Sequence, residues 1–443
     1  MDFKKIRAAL ILIIFMAIVV GSFIGAQIAL KKDKHLLSDS QIHEKIYEKV
    51  QERTAVLTNF YTYGKAININ GQISNVSKDN FENVKVLLTN GNGVEREIVI
   101  NYAIRDKILY FSTDNNLNRG IVLDDLPNGS YYLILRLKMN NSVNAKYYAI
   151  VGSNKEPIEY YTVTKDGLNR KATISEKTFL APNKSEIGYL SIVLEDSALP
   201  EDTYDIVIDP AHGGKDYGET YGGVNEAKEV LVYGEKLKEA LEAKGYKVKL
   251  TRDKSNTDSF TTTDMYDPDG RISIACKSKA KLMISLHMNN DKISSLSGLE
   301  IYGPSKSNMD FARALANEIV NSTSLDYSNN NSFKISNGVY VRTFTNKIIA
   351  DYAAGAKSKG FEPYNINVDT PYSYTIREVG GVATNAYVDG RNTQYHKNDY
   401  YDSRQGLECY EIQMGYLKTN KDILLNEVDS IVEAIANGIS NNY

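Results

Sequence analysis

Residues 204–251 read YDIVIDPAHGGKDYGETYGGVNEAKEVLVYGEKLKEALEAKGYKVKLT. Three periodicities follow one another here. YDIVID is a short apolar run closed by Pro and Gly, the pattern of a buried strand. Over 226–244 apolar residues recur at helical spacing. Ala227, Val230, Leu231, Gly234, Leu237 and Leu241 share one face, and Gly245 is the stop signal. YKVKLT then returns to strand. Strand, loop, helix and strand in that order make the crossover unit of a parallel sheet. The alternation continues with GRISIACKSKA as helix, KLMISLH and GLEIYG as strands, and MDFARALANEIV as helix. Near the end, GLECYEIQMGYLKTNKD (406–422) predicts a strand with Tyr410, Ile412 and Met414 on one face and Glu411 and Gln413 on the other. Residues 201–443 are therefore expected to form an α/β domain, a mostly parallel sheet flanked by helices.

Toward the N-terminus the texture changes. Over 57–200, short runs such as KAININGQISN, VKVLLTN, KILYFST, SYYLILRLKM and KYYAIVG are separated by Asn, Gly and Asp clusters. Closely spaced strands with turn residues between them predict an all-β, immunoglobulin-like sandwich. Residues 8–30 carry no charge and are long enough to cross a bilayer as a helix. They are expected to be an uncleaved transmembrane anchor, with 1–7 in the cytoplasm and the body of the chain outside the membrane. Ile42, Ile46 and Val50, at i, i+4 spacing, predict a juxtamembrane helix or stalk over 31–56. The chain has 443 residues, 42% of them hydrophobic, which suits two or three globular domains. A net charge of -3 argues against a nucleic-acid binder, which needs a basic surface. Cys276 and Cys409 are too few for a disulfide framework and are expected to be core thiols.

Open α/β sheets carry their sites beyond the carboxyl ends of the strands. Two of the five histidines lie there: His212 after YDIVID, and His287 at the end of KLMISL. Glu226 opens the helix that follows the first loop. Two imidazoles and one carboxylate are a catalytic zinc set with the fourth position left open.

VIDPAHGGKDYG, the Glu226 segment, GRISIACKSKAKLMISLHMNN and SGLEIYG together resemble the zinc-dependent N-acetylmuramoyl-L-alanine amidases of bacterial cell walls. The resemblance runs from about residue 205 to the end. It implies Zn2+ on His212, Glu226 and His287, with Asp209 supporting the first loop and Asn289 lining the cleft. It also implies that SYTIREVGG is a strand ending in a substrate-binding Arg377. The implied reaction cuts the amide between the lactyl group of N-acetylmuramic acid and L-alanine of the stem peptide. The implied partner is peptidoglycan, and the domains would face the cell wall from a single-pass membrane anchor.

One departure bears on activity. Where the family has a catalytic glutamate in a late strand, this chain has Gln413, which can hold a water but cannot exchange a proton. Glu411 is the carboxylate on the same face, displaced by about 6.6 Å of strand, and Glu378 is a weaker substitute. The alternative to an active hydrolase is therefore a protein that keeps the amidase fold and binds cell wall or a partner. A zinc peptidase or deacetylase fits the motif order less well. A second departure is an insertion over about 322–405, which holds His396, expected to be an ordinary exposed histidine.

Overall fold

The computed structural model describes residues 50–443 except 77–80, 92–94, 114, 153–156, 164–168, 181–185, 257–268, 291–294, 361–362, 364–365 and 382–403. The expected anchor, most of the stalk and His396 lie outside the described residues. Among the described residues no helix is long and apolar enough to cross a membrane.

The first domain is all-β, as its pattern predicts. Its strands are β1 (Val50–Tyr63), β2 (Ala66–Ile73), β3 (Phe81–Thr89), β4 (Glu95–Ile98), β5 (Ile100–Arg105) and β6 (Ile108–Thr113), followed by β7 (Ile121–Val122), β8 (Gly129–Met139), β9 (Lys146–Val151), β10 (Ile158–Val163), β11 (Asn169–Leu180) and β12 (Glu186–Asp196). Two expectations are corrected here. Residues 50–56 are strand and not stalk. Ala55 and Leu57 point inward while Val56 and Thr58 point out, and that period of two wins over the i, i+4 coincidence ending at Val50. The domain is also not two separate sheets. β1 is 14 residues long and bulged between Leu57 and Asn59. Its first half pairs with β9 and its second half with β2, so one hydrogen-bonded sheet wraps a main core that includes Ile67, Leu88, Phe111, Leu133 and Ile192, with a smaller cluster of Leu87, Tyr132, Ile134, Ala149 and Tyr189.

The second domain contains β13 (Ile206–Pro210), β14 (Thr220–Tyr221), β15 (Val224–Asn225), α1 (Glu226–Ala243), β16 (Val248–Leu250), α2 (Arg271–Lys277), β17 (Leu282–Asn289), β18 (Glu300–Tyr302) and α3 (Asp310–Ser322). After these come β19 (Lys334–Ser336), β20 (Val339–Tyr340), α4 (Asn346–Ser358), α5 (Tyr374–Val379), β21 (Gln405–Gly406), β22 (Glu408–Tyr416), α6 (Lys421–Asn426) and α7 (Val428–Asn442). The sheet order is β16-β13-β17-β22-β18-β20-β19, with the first four strands parallel and β18 antiparallel to β22. Side chains alternate across it. Tyr410, Ile412 and Met414 of β22 join the core built with α1, α3 and α7, while Cys409 packs with Ile272, Ala275, Ile376 and Val379 of α2 and α5. Cys276 is only partly buried, at the edge of that second core.

The segment SYTIREVGG is the short helix α5 and not a strand. Ile376 and Val379, three apart, need one face to reach the α2 core, and the Arg377 N–H donates to the Ser373 carbonyl as in a helical turn. The insertion contributes β19 and β20 to the sheet, then α4, none of whose residues is buried. It ends in β21, which leaves the second domain's sheet and pairs parallel with β1, Thr62 against Gln405 and Tyr63 against Gly406. The two domains thus share a strand pairing immediately before β22.

Candidate active site

β13 and β17 are adjacent parallel strands, so the loops at their carboxyl ends emerge side by side. A buried ion pair fixes the first loop. Asp209, fully buried, accepts from Arg271 Nη1 (2.6 Å), Thr251 Oγ1 (2.6 Å) and Ser285 Oγ (2.7 Å). Arg271 also donates to the His212 carbonyl at 2.9 Å, and Arg252 donates to the carbonyls of Pro210, Ala211 and Ala227. His212 is held at φ 62°, an unusual conformation for a residue with a side chain. Gly218 follows at φ 63°. A Cβ there would stand 2.5 Å from Glu226 Oε2 and 2.6 Å from His212 Cδ2, so only glycine lets the loop close over these two groups.

Glu226 is the first residue of α1, with Asn225 capping the Lys228 N–H. Its carboxylate is 99% buried and divides between two imidazoles: Oε2 lies 3.2 Å from His212 Nε2 and Oε1 3.2 Å from His287 Nδ1. Oε1 also accepts the Met288 N–H and Oε2 the Glu219 N–H. Burial alone would raise its pKa, but the two histidines hold it well below the usual carboxylate range. His212 is pushed the other way, to about 9: desolvation lowers it, and Glu226 and Asp216 more than offset that. Candidate ligand atoms on His212, Glu226 and His287 all lie within 4.8 Å of one another. Ligands about 2.0–2.1 Å from a tetrahedral ion stand roughly 3.3 Å apart, close to both histidine–carboxylate distances. Asp216 Oδ2, 2.8 Å from His212 Nδ1, leaves Nε2 to face the site. The three groups and their outer support fit a divalent ion.

On β22, Gln413 is the register partner of His287, and Glu411 that of Ser285, one step lower on the same face. Gln413 Nε2 donates to Glu411 Oε1 at 2.8 Å, and Ser373 Oγ, just before α5, donates to Glu411 Oε2 at 2.8 Å. Gln413 Oε1 is buried with no hydrogen-bond partner among the described residues, so an acceptor is left unmatched on the strand beside His287. His287 is drawn upward in pKa by Glu411 and Glu226 against the effect of its burial.

Asn289 ends β17, half-buried, opposite Tyr416, at the strand end where a cleft residue is expected. Arg377 is a correction. It is buried, and its guanidinium is committed to Glu378 Oε1 (2.7 Å) and to the carbonyls of Pro371 and Tyr372. Once its segment is a helix, the side chain braces the preceding loop and does not stand open to substrate. Glu378 is fully buried and spent on the same pair.

Besides Thr251, Arg252 and Ser285, which support the first loop, three further side chains were not singled out from the sequence. Asp216 stands four residues after His212, a spacing a turn can close. Ser373 could not be found, because its segment reads as strand. Glu300 of β18 is the cross-strand partner of Gln413 and so shares its face. It is buried and accepts from Tyr302, Tyr416, Ser328 and Asn330. A lone Glu between Leu299 and Ile301 was its visible signal.

A comparison with curated proteins returned no match. Among solved structures, the amidase AmiC2 of Nostoc punctiforme is 23% identical over 53% of this chain and 94% of its own, with a TM-score of 0.33. The CwlD amidase of Clostridioides difficile, solved in complex with the GerS lipoprotein, is 20% identical over 54% and 98%, with a TM-score of 0.34. Cwp6 of Clostridium difficile is 20% identical over 54% of this chain but only 29% of its own length, with a TM-score of 0.34. A family model described as N-acetylmuramoyl-L-alanine amidase matches residues 206–441, more than half the chain and nearly all of the α/β domain. Through that domain, the chain belongs to the N-acetylmuramoyl-L-alanine amidase family.

Proposed function

We propose that this protein is a zinc-dependent peptidoglycan amidase, tethered by residues 8–30 with its domains on the outer side of the membrane. It would hydrolyse the bond between N-acetylmuramic acid and the L-alanine of the stem peptide. The observation that carries this reading is the meeting of two imidazoles on one buried carboxylate, with Asp216 behind the first. Zinc bound there would supply Lewis-acid activation of water and polarisation of the amide carbonyl.

The chain's own residues have the remaining tasks. Asp216 fixes the His212 tautomer, and Arg271 and Arg252 hold the loop at the geometry the histidine needs. Gln413 Oε1 accepts a hydrogen bond from the attacking water but cannot take its proton. Glu411 takes the proton, after its side chain turns away from the Gln413 amide toward the histidines, and returns it to the leaving nitrogen. That reach makes the enzyme slow.

The test is release of stem peptides with a free L-alanine amine from purified peptidoglycan, using the full chain with zinc. Slow release is expected, lost in Glu411→Gln and raised about 10²–10⁴-fold in Gln413→Glu. Gln413 itself favours a second reading, a wall-binding protein without turnover. If the native chain sediments with insoluble wall, releases nothing, and gains activity only as Gln413→Glu, that second reading replaces the first.

A further inference from the structure

At the opposite end of the catalytic sheet, about 20 Å below His287 by strand rise, a cavity of about 410 Å³ opens between the domains. Its walls come from the amino ends of β17 and β22, from β21, and from β10 of the first domain. Lys277, Lys279, Lys281 and Arg404 line it, and no carboxylate side chain is among the lining residues. The Arg404 guanidinium lies over the Phe60 ring, and the Lys281 ammonium lies over the Tyr160 ring and against the Lys279 carbonyl. Among the described residues, none of Lys279, Lys281 and Arg404 has an acid within ion-pair distance. That is out of keeping with a chain that has 55 acidic residues against 52 basic ones. Burial pushes the Lys281 ammonium down to about 7, with Asp205 and Asp124 pulling it back and Lys279 adding to the fall.

We propose that this cavity binds a phosphate ester. Lys279, Lys281 and Arg404, three cations of the second domain lining one cavity, match a doubly charged phosphate better than a single carboxylate, and a planar guanidinium suits its paired oxygens. The volume falls in the range of small-molecule sites and exceeds what a bare ion fills. Ile158, Ala280 and Leu407 supply apolar wall for the organic part of the ester. The occupant would tie Arg404, just before β21, to Lys279 and Lys281, just before β17. The chemistry fits a free polyol phosphate or a phospholipid headgroup equally.

The experiment is calorimetric titration of the full chain in nonionic detergent with inorganic phosphate, glycerol 3-phosphate and short-chain phosphatidylglycerol. Saturable binding is expected for at least one ester. It should weaken about tenfold in Lys279→Gln and in Arg404→Gln, vanish in the double variant, and be unchanged in Lys236→Gln on the distant face of α1. Binding of glycerol 3-phosphate assigns a soluble source, and binding of the lipid alone assigns a headgroup. Melting curves check that the variants are folded, as expected since neither side chain holds an ion pair among the described residues. No binding of any of the three, or binding that the double variant keeps, overturns the proposal.

Discussion

Buried carboxylates at the two ends of one sheet meet opposite fates. At the upper end, Asp209 and Glu226 are fully or almost fully buried, yet both are held below their ordinary pKa, because a guanidinium faces one and two imidazoles face the other. At the lower end Glu408, 3% exposed, has among the described residues only neutral close donors: Asn118 Nδ2 at 2.7 Å and the Tyr410 hydroxyl. Burial raises it to about 7, although those donors and the more distant Lys65 pull the other way. Desolvation acts on all three, so a countercharge within reach decides whether the group stays ionised. The upper end is built to hold charge, as a metal site requires. At the lower end Glu408 itself is kept uncharged beside the pairing of β21 with β1.

The sharpest way to break this contrast is to take the countercharge from Asp209. Arg271→Met should leave the carboxylate buried with hydrogen bonds from Thr251 and Ser285 and only the more distant charges of Arg252 and His287. The expected cost is about 3–5 kcal/mol of stability at pH 7, read by urea unfolding. Asp209→Asn in the same chain should recover part of it. If Arg271→Met costs under about 1 kcal/mol, countercharge does not separate the two ends. The variant should also lower zinc affinity, since Arg271 holds the His212 carbonyl.

The second test works at the lower end. Between pH 4.5 and about 7 the unfolded chain ionises Glu408 while the folded chain keeps it protonated. The folded state then binds more protons, so stability falls as pH rises through that window and levels off above it. The full shift corresponds to at most about 3 kcal/mol. Glu408→Gln should match the native chain near pH 4.5 and exceed it by up to about that much at pH 8, in thermal melts across pH. Equal slopes for the two proteins would refute the assignment.

Much of the upper end was legible in the sequence, because its parts sit in local patterns. Strand runs end at His212 and His287, and the helical face of 226–244 begins with Glu226. Gln413 and Glu411 were legible by alternation along a single strand. What stayed hidden depends on contacts across long separations. Ser373 reaches Glu411 from 38 residues away, and Glu300 stands beside Gln413 only because β18 runs antiparallel to β22. Arg377 was misread because six residues hold too few apolar positions to separate a strand from a turn of helix. The β1 strand was misread because its pairing with β9, almost a hundred residues on, overrides a weak helical pattern. The seam itself, two residues of β21 joined to β1, left no trace in composition.

The smallest effect isolates the seam's own contribution. Asn118 reaches across it, donating to Glu408 Oε1 and to the Asn308 carbonyl (2.9 Å) and accepting the Asn308 N–H at 2.8 Å. Asn118→Ala should cost about 1–2 kcal/mol, with the larger figure above pH 7, where Glu408 is ionised and its hydrogen bond is charge-assisted. The Asn308 contacts carry no titrating group, so their share should be the same at every pH. Combining Asn118→Ala with Glu408→Gln should therefore leave a cost that no longer varies with pH. A pH-dependent remainder in the double variant would mean that some other group senses the seam, and Glu408 would lose its place as the neutral counterpart to Asp209 and Glu226.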